Sequence, residues 1–112
     1  MACLQPIPGI ADLIRASLEQ GSDEAVNQLL RRNPQLSSVA AVQALYEEVV
    51  NRCRVDLRSA ARLAETATGV AEQLQDEYAQ AIAMRATGHV LHLAGNHEKA
   101  VERYEVALQI LG

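Results

Sequence analysis

The chain contains no tryptophan and no phenylalanine, and three tyrosines are its only aromatic residues. Alanine, leucine and valine must therefore do the packing. Small aliphatic side chains let helices approach closely and suit paired helices better than a sandwich or a barrel. Cysteine is equally scarce: Cys3 lies near the start and Cys53 in an apolar run. Two such residues make no disulfide framework, so a reducing cytoplasmic setting is expected. No apolar stretch is long enough to span a bilayer. The opening ten residues lack a basic region and include Pro6 and Pro8, so they do not read as a signal peptide. Basic residues are outnumbered: 10 Lys and Arg against 14 Asp and Glu give a net charge of −4. Phosphate binding needs a surplus of Lys and Arg, so nucleic acid is not the expected partner.

Catalytic patterns are missing as well. There is no glycine-rich phosphate loop and no G-x-S-x-G elbow. Cys53 has no histidine close in sequence to activate it and reads as a core filler. Glu47 and Glu48 are adjacent, so they diverge around a helix and make a poor acid–base pair. No enzyme activity, cofactor or metal is expected.

What is present is helical periodicity. With 112 residues, 49% of them hydrophobic, the chain is long enough for one domain with a real core. Residues 1–9 read as an extended lead-in and 10–112 as a single helical domain. Ile10, Leu13, Ile14 and Leu18 recur at helical spacing up to Gly21. Ser22 or Asp23 can cap a second helix, which ends at Asn33-Pro34 because proline disfavours helical geometry in the residue before it. Ser37 or Ser38 opens a third helix carrying Val42, Leu45, Tyr46, Val49, Val50 and Cys53. Asp56 caps a fourth, from Leu57 to Leu74, whose middle is weakened by Thr66, Thr68 and Gly69, so a bend is expected there. Asp76 begins a fifth, Gly95-Asn96 is a turn, and a sixth starts at His97. The fold class is thus all-α: about six helices in antiparallel hairpins, at 10–34, 38–75 and 76–112.

The last hairpin carries a spaced pattern. Met84-x2-Thr87-Gly88-x2-Leu91 is followed by Ala100-x3-Tyr104 and then Ala107, with Gly95 in the turn and Gly112 at the end. Gly88 and Ala100 are small where two helices would cross closely, while Met84, Leu91 and Tyr104 are large enough to fill the groove beside that crossing. This hairpin resembles a tetratricopeptide (TPR) repeat, with Met84 and Thr87 in place of the usual Trp and Leu. Residues 38–75 read as a degenerate, lengthened repeat. The whole run also resembles the amino-terminal region of bacterial TPR proteins that end in a CHAT peptidase-like domain. That likeness is carried by Leu30-x3-Pro34-x-Leu36, by Leu45-Tyr46-Glu47-Glu48 and by the Gly88–Leu108 repeat. These resemblances imply a TPR-like right-handed superhelix that serves as a protein-binding scaffold, or alternatively the regulatory arm of a CHAT-type peptidase.

Three sets of residues are candidate sites. Arg85, His89 and His92 share one face of the fifth helix, which in a TPR hairpin would line the peptide-binding groove and favour a polar or acidic segment. An ordinary solvated stripe is the competing reading. His89, His92 and His97 also raise a small metal site as an alternative, against surface histidines of a repeat helix. On the sixth helix Ala100, Val101, Tyr104, Ala107, Leu108 and Leu111 read as the buried stripe. Arg103, Val106 and Ile110 read as a surface for a next repeat or for homo-oligomer formation, since an outermost helix would carry polar residues there. Arg54, Arg58 and Arg62 are spaced as a short basic stripe, or as a solvated face with Glu65 and Glu72 nearby in sequence.

Overall fold

The computed structural model describes residues 9–19 and 22–111, without the side chains of Ser22 and Asp23. Its elements are α1 (Ile10–Leu18), α2 (Ser22–Arg32), a 3-10 turn (Pro34–Leu36), α3 (Val39–Cys53), α4 (Leu57–Leu74), α5 (Glu77–Leu93) and α6 (His97–Leu111). Among the described residues every element is helical, and no helix is long and apolar enough to cross a membrane. The expected lead-in and the Ser22 or Asp23 cap fall largely outside these residues.

Helices α3 to α6 begin where a short polar side chain can accept from their free N–H groups. Ser38 Oγ accepts from Ala41 N–H at 3.2 Å. Asp56 accepts from the N–H groups of Arg58 and Ser59 at 3.1 and 3.3 Å, and Asp76 from Ala79 at 2.9 Å. Asn96 repeats the arrangement more loosely, accepting from Lys99 N–H at 3.4 Å. Each such cap is worth about 1 kcal/mol. A further bond from the Ser59 side chain at 2.7 Å helps hold the Asp56 carboxyl below its ordinary range.

The ends of α4 and α5 use left-handed backbone. Gly95 has φ 89°, and the N–H groups of Gly95 and Asn96 return to the carbonyls of His92 and Leu91 at 3.1 and 2.9 Å. That closes the end of α5 as a Schellman motif. At the end of α4 the same conformation falls on Gln75, with φ 53°. A Cβ makes that region costly.

The hairpins α3–α4 and α5–α6 form by contact of sequence neighbours, and α5 lies in the cleft between α3 and α4. The α1–α2 hairpin joins them through α1, which rests against α4 and touches α3. Helix α4 is therefore approached from three sides. Ala60, Ala64, Ala67 and Ala71 form one buried stripe along it, and Leu63 and Val70 are buried beside that stripe. The expected bend at Thr66–Gly69 is not a break: α4 runs unbroken through it. Thr68 Oγ1 donates back to the Ala64 carbonyl at 2.9 Å, and Thr66 serves a tertiary contact. Thr66 Oγ1 donates to Ser17 Oγ at 2.8 Å, and Ser17 in turn donates to the Leu13 carbonyl at 2.8 Å. Ser17 is the buried polar side chain of the described core, and this chain of two bonds satisfies it. Arg62 adds a bond to the Glu19 carbonyl at 3.1 Å.

Gln75→Gly removes the left-handed penalty while leaving the end of α4 exposed to solvent. It should stabilise the domain by about 0.5–1 kcal/mol, read as a rise in the urea midpoint at unchanged slope. A fall in the midpoint would contradict the geometry at that position.

Candidate functional site

Helix α5 presents one edge between α3 and α6, and the three α5 candidates are on or beside it. Arg85 is exposed and reaches back to α3. Its Nη2 donates to the Tyr46 hydroxyl at 3.2 Å, and its guanidinium carbon lies 4.9 Å from the centre of the Tyr46 ring. Both contacts hold the guanidinium in place, and the stacking leaves other N–H donors free. Among the described residues no carboxylate pairs with Arg85; the two ion pairs are Arg15–Asp12 and Arg52–Glu48.

His89 lies one turn further along α5 and is half-buried. Burial pushes its imidazole below the ordinary value of 6.5, and the charges of His92 and Arg54 push the same way. Arg54 follows the end of α3, so α3 contributes a second cation beside the α5 face. His92 turns toward the α5–α6 turn, where its Nδ1 lies 3.0 Å from Nδ1 of His97 and the rings meet edge to face. One of these two nitrogens donates and the other accepts, according to the tautomer. Among the described residues no group of three or more His, Cys, Asp and Glu stands where it could hold a metal ion.

The wall toward α6 is Tyr104. A Cβ built on Gly88 would lie 2.9 Å from Tyr104 Cε1, so the ring rests directly on the glycine. Ala100 is buried one turn earlier on α6. At Gly88 the expected crossing takes the form of an aromatic ring seated on the backbone. Burial raises the Tyr104 phenol, and the neighbouring Tyr46 adds to that while Arg85 opposes it. Cys53 sits beneath this corner, buried, with its thiol raised by burial. Burial at a raised pKa keeps it protonated and inert.

Tyr46, Arg54 and Tyr104 did not stand out as surface-site residues in the sequence. Tyr46 and Tyr104 fell into apolar stripes, although a tyrosine beside a core stripe often turns its hydroxyl outward. Arg54 was grouped with Arg58 and Arg62, but that stripe does not exist as one face. The Val55–Asp56 turn separates Arg54 from α4, while Arg58 and Arg62 line a groove of about 750 Å³ between α2 and α4.

The α6 candidates also divide. Arg103 closes a groove of about 600 Å³ floored by Ala83, Met84 and Leu91 of α5 and walled by Ala61 and Ala64 of α4. Ile110 is half-buried, and Val106 is 40% exposed. Val101 and Leu108, expected in the buried stripe with Ala100 and Ala107, are 51% and 64% exposed. They fall at the edge of that stripe, which narrows to Ala100, Tyr104, Ala107 and Leu111 because α6 packs on one neighbour, α5.

Gly88→Ala should cost roughly 1–3 kcal/mol, because the Tyr104 ring must move. Tyr104→Leu in the same chain should recover part of that loss, a coupling that paired thermal melts would measure. His89 has a second consequence. Its folded-state pKa is depressed, so its contribution is complete above 6.5 and is lost as pH falls below that value. Urea midpoints taken from about pH 7.5 to about pH 5 should drop, and His89→Gln should flatten the drop.

In comparisons with known proteins, the chain matches no family model, no curated protein and no solved structure.

Proposed function

We propose that this domain is a protein-interaction module of TPR type, and that the face built by α3, α5 and the Tyr104 wall holds an acidic segment of another protein. The observation behind this reading is Arg85: an exposed guanidinium fixed on the Tyr46 ring, with no carboxylate of the described chain to neutralise it. A guanidinium held in place loses less freedom when it pairs with a partner carboxylate, and preorganisation of that kind favours binding. Arg54 adds charge of the same sign, and the phenols of Tyr46 and Tyr104 offer hydroxyls next to apolar rings, a mixture common where proteins meet. The layout of α3 to α6 supports the TPR reading too. Two hairpins follow one another, α5 nests against both helices of the preceding pair, and Gly88 lies under the ring of Tyr104. The first hairpin leans on this array through α1, so the regular part of the array is residues 39–111.

Peptides selected from a random display library against the purified domain supply the probe. They should be enriched in Asp and Glu. Arg85→Glu should weaken their binding by about tenfold or more, equivalent to about 1.4 kcal/mol, with an unchanged thermal melt. Selection of peptides without acidic enrichment, or equal affinity for Arg85→Glu, would move the docking site away from this face.

A further inference from the structure

Among the described residues, α6 carries the exposed aliphatic side chains Val101, Val106 and Leu108, and its charges are sorted. Val101 and Leu108 are spaced i, i+7, and both are largely exposed. Beside them on one flank run Glu98, Glu102 and Glu105, all exposed and none in an ion pair of the described chain. The cations of the helix, Lys99 and Arg103, fall on the far side, where Arg103 closes the groove against α4 and α5. This sorting places like charges at i, i+4 twice, Glu98 with Glu102 and Lys99 with Arg103. A surface helix gains from opposite charges at that spacing and loses from like ones. A helix selected only for solubility would interleave the signs.

From these observations we infer that the α6 face bearing Val101 and Leu108 docks a basic amphipathic helix of a partner protein, whose apolar stripe covers the two aliphatic side chains and whose Lys or Arg flank meets Glu98, Glu102 and Glu105. The apolar spacing suits a helix laid along a helix, in which anchors recur at i, i+3, i+4 and i+7. The carboxylates set the sign of the partner and steer its approach. A second copy of this chain fits poorly. In a two-fold contact the same patch meets itself, and Glu105, lying between Val101 and Leu108, would face its own symmetry mate. The inference is independent of the Arg85 face, which has the opposite charge.

The test uses a labelled synthetic helix with leucines on one stripe and lysines along the flanks, followed by fluorescence anisotropy. Two control peptides carry glutamate flanks or alanine in place of leucine. The lysine–leucine probe should bind the wild-type domain, weaken with added salt, and outbind both controls. Leu108→Glu, and Glu98→Lys combined with Glu102→Lys, should each weaken it by about tenfold or more, while Arg85→Glu should not change it. All variants lie on exposed positions, and circular dichroism melts check that they remain folded. Equal binding by the Glu98→Lys, Glu102→Lys variant would overturn the inference. So would loss of binding in Arg85→Glu, which would merge the two faces into one site. Sedimentation equilibrium provides the remaining arm. A dimer abolished by Leu108→Glu would assign the face to a second copy and overturn the proposal, whereas a monomer agrees with it.

Discussion

The structure depends on how closely other helices can approach α4. Four alanines on one stripe of that helix let its neighbours come near its axis there without a long side chain holding them off. Close approach brings many weak dispersion contacts into range, and together they substitute for the large aromatic residues the sequence lacks. The same economy has a cost in tolerance. A methyl group is a large fraction of the space between helices this close, so enlargement at Ala60 or Ala67 would be felt on more than one interface.

Most of the architecture was legible because its signals are local. Pro34 follows the end of α2, and Ser38, Asp56 and Asp76 stand directly before the helices they cap, so helix limits could be read within a residue or two. Gly95 marked the α5–α6 turn for the same reason. Gln75 was not legible as a left-handed residue, since nothing in its chemistry announces a conformation that α4 imposes on it from outside. The segment Thr66–Gly69 shows the opposite case, since α4 stays helical through it. Propensity weakens that segment, but packing on three helices and the Thr66–Ser17 bond outweigh it.

The site was read less completely. Arg85 and His89 could be placed on one edge of α5 from spacing alone. Their neighbours could not, because Tyr46 lies 39 residues before Arg85 on α3 and Tyr104 stands on the separate helix α6. Periodicity assigns a residue to a face of its own helix and says nothing about which helix lies opposite. Val101 and Leu108 show the limit most clearly. Both belong to an apolar stripe that would be buried if α6 had two neighbours, and a one-dimensional pattern cannot count neighbours.

The attachment of the first hairpin has a bearing on how the chain folds. Helices α3 to α6 meet mostly their sequence neighbours, so their contacts close short loops. The link from Ser17 to Thr66 spans 49 positions and forms only after α4 exists to receive it. Loop closure of that length is slow relative to hairpin formation. Helices α1 and α2, although Leu13, Val26 and Leu30 share the core of α3–α5, are therefore expected to dock last and to open first. In a hydrogen-exchange experiment their amides would exchange through a partial opening that leaves α4 protected. That opening would also release Thr66 and Arg62 from their partners Ser17 and Glu19, and expose the flank of α4 that α1 now covers.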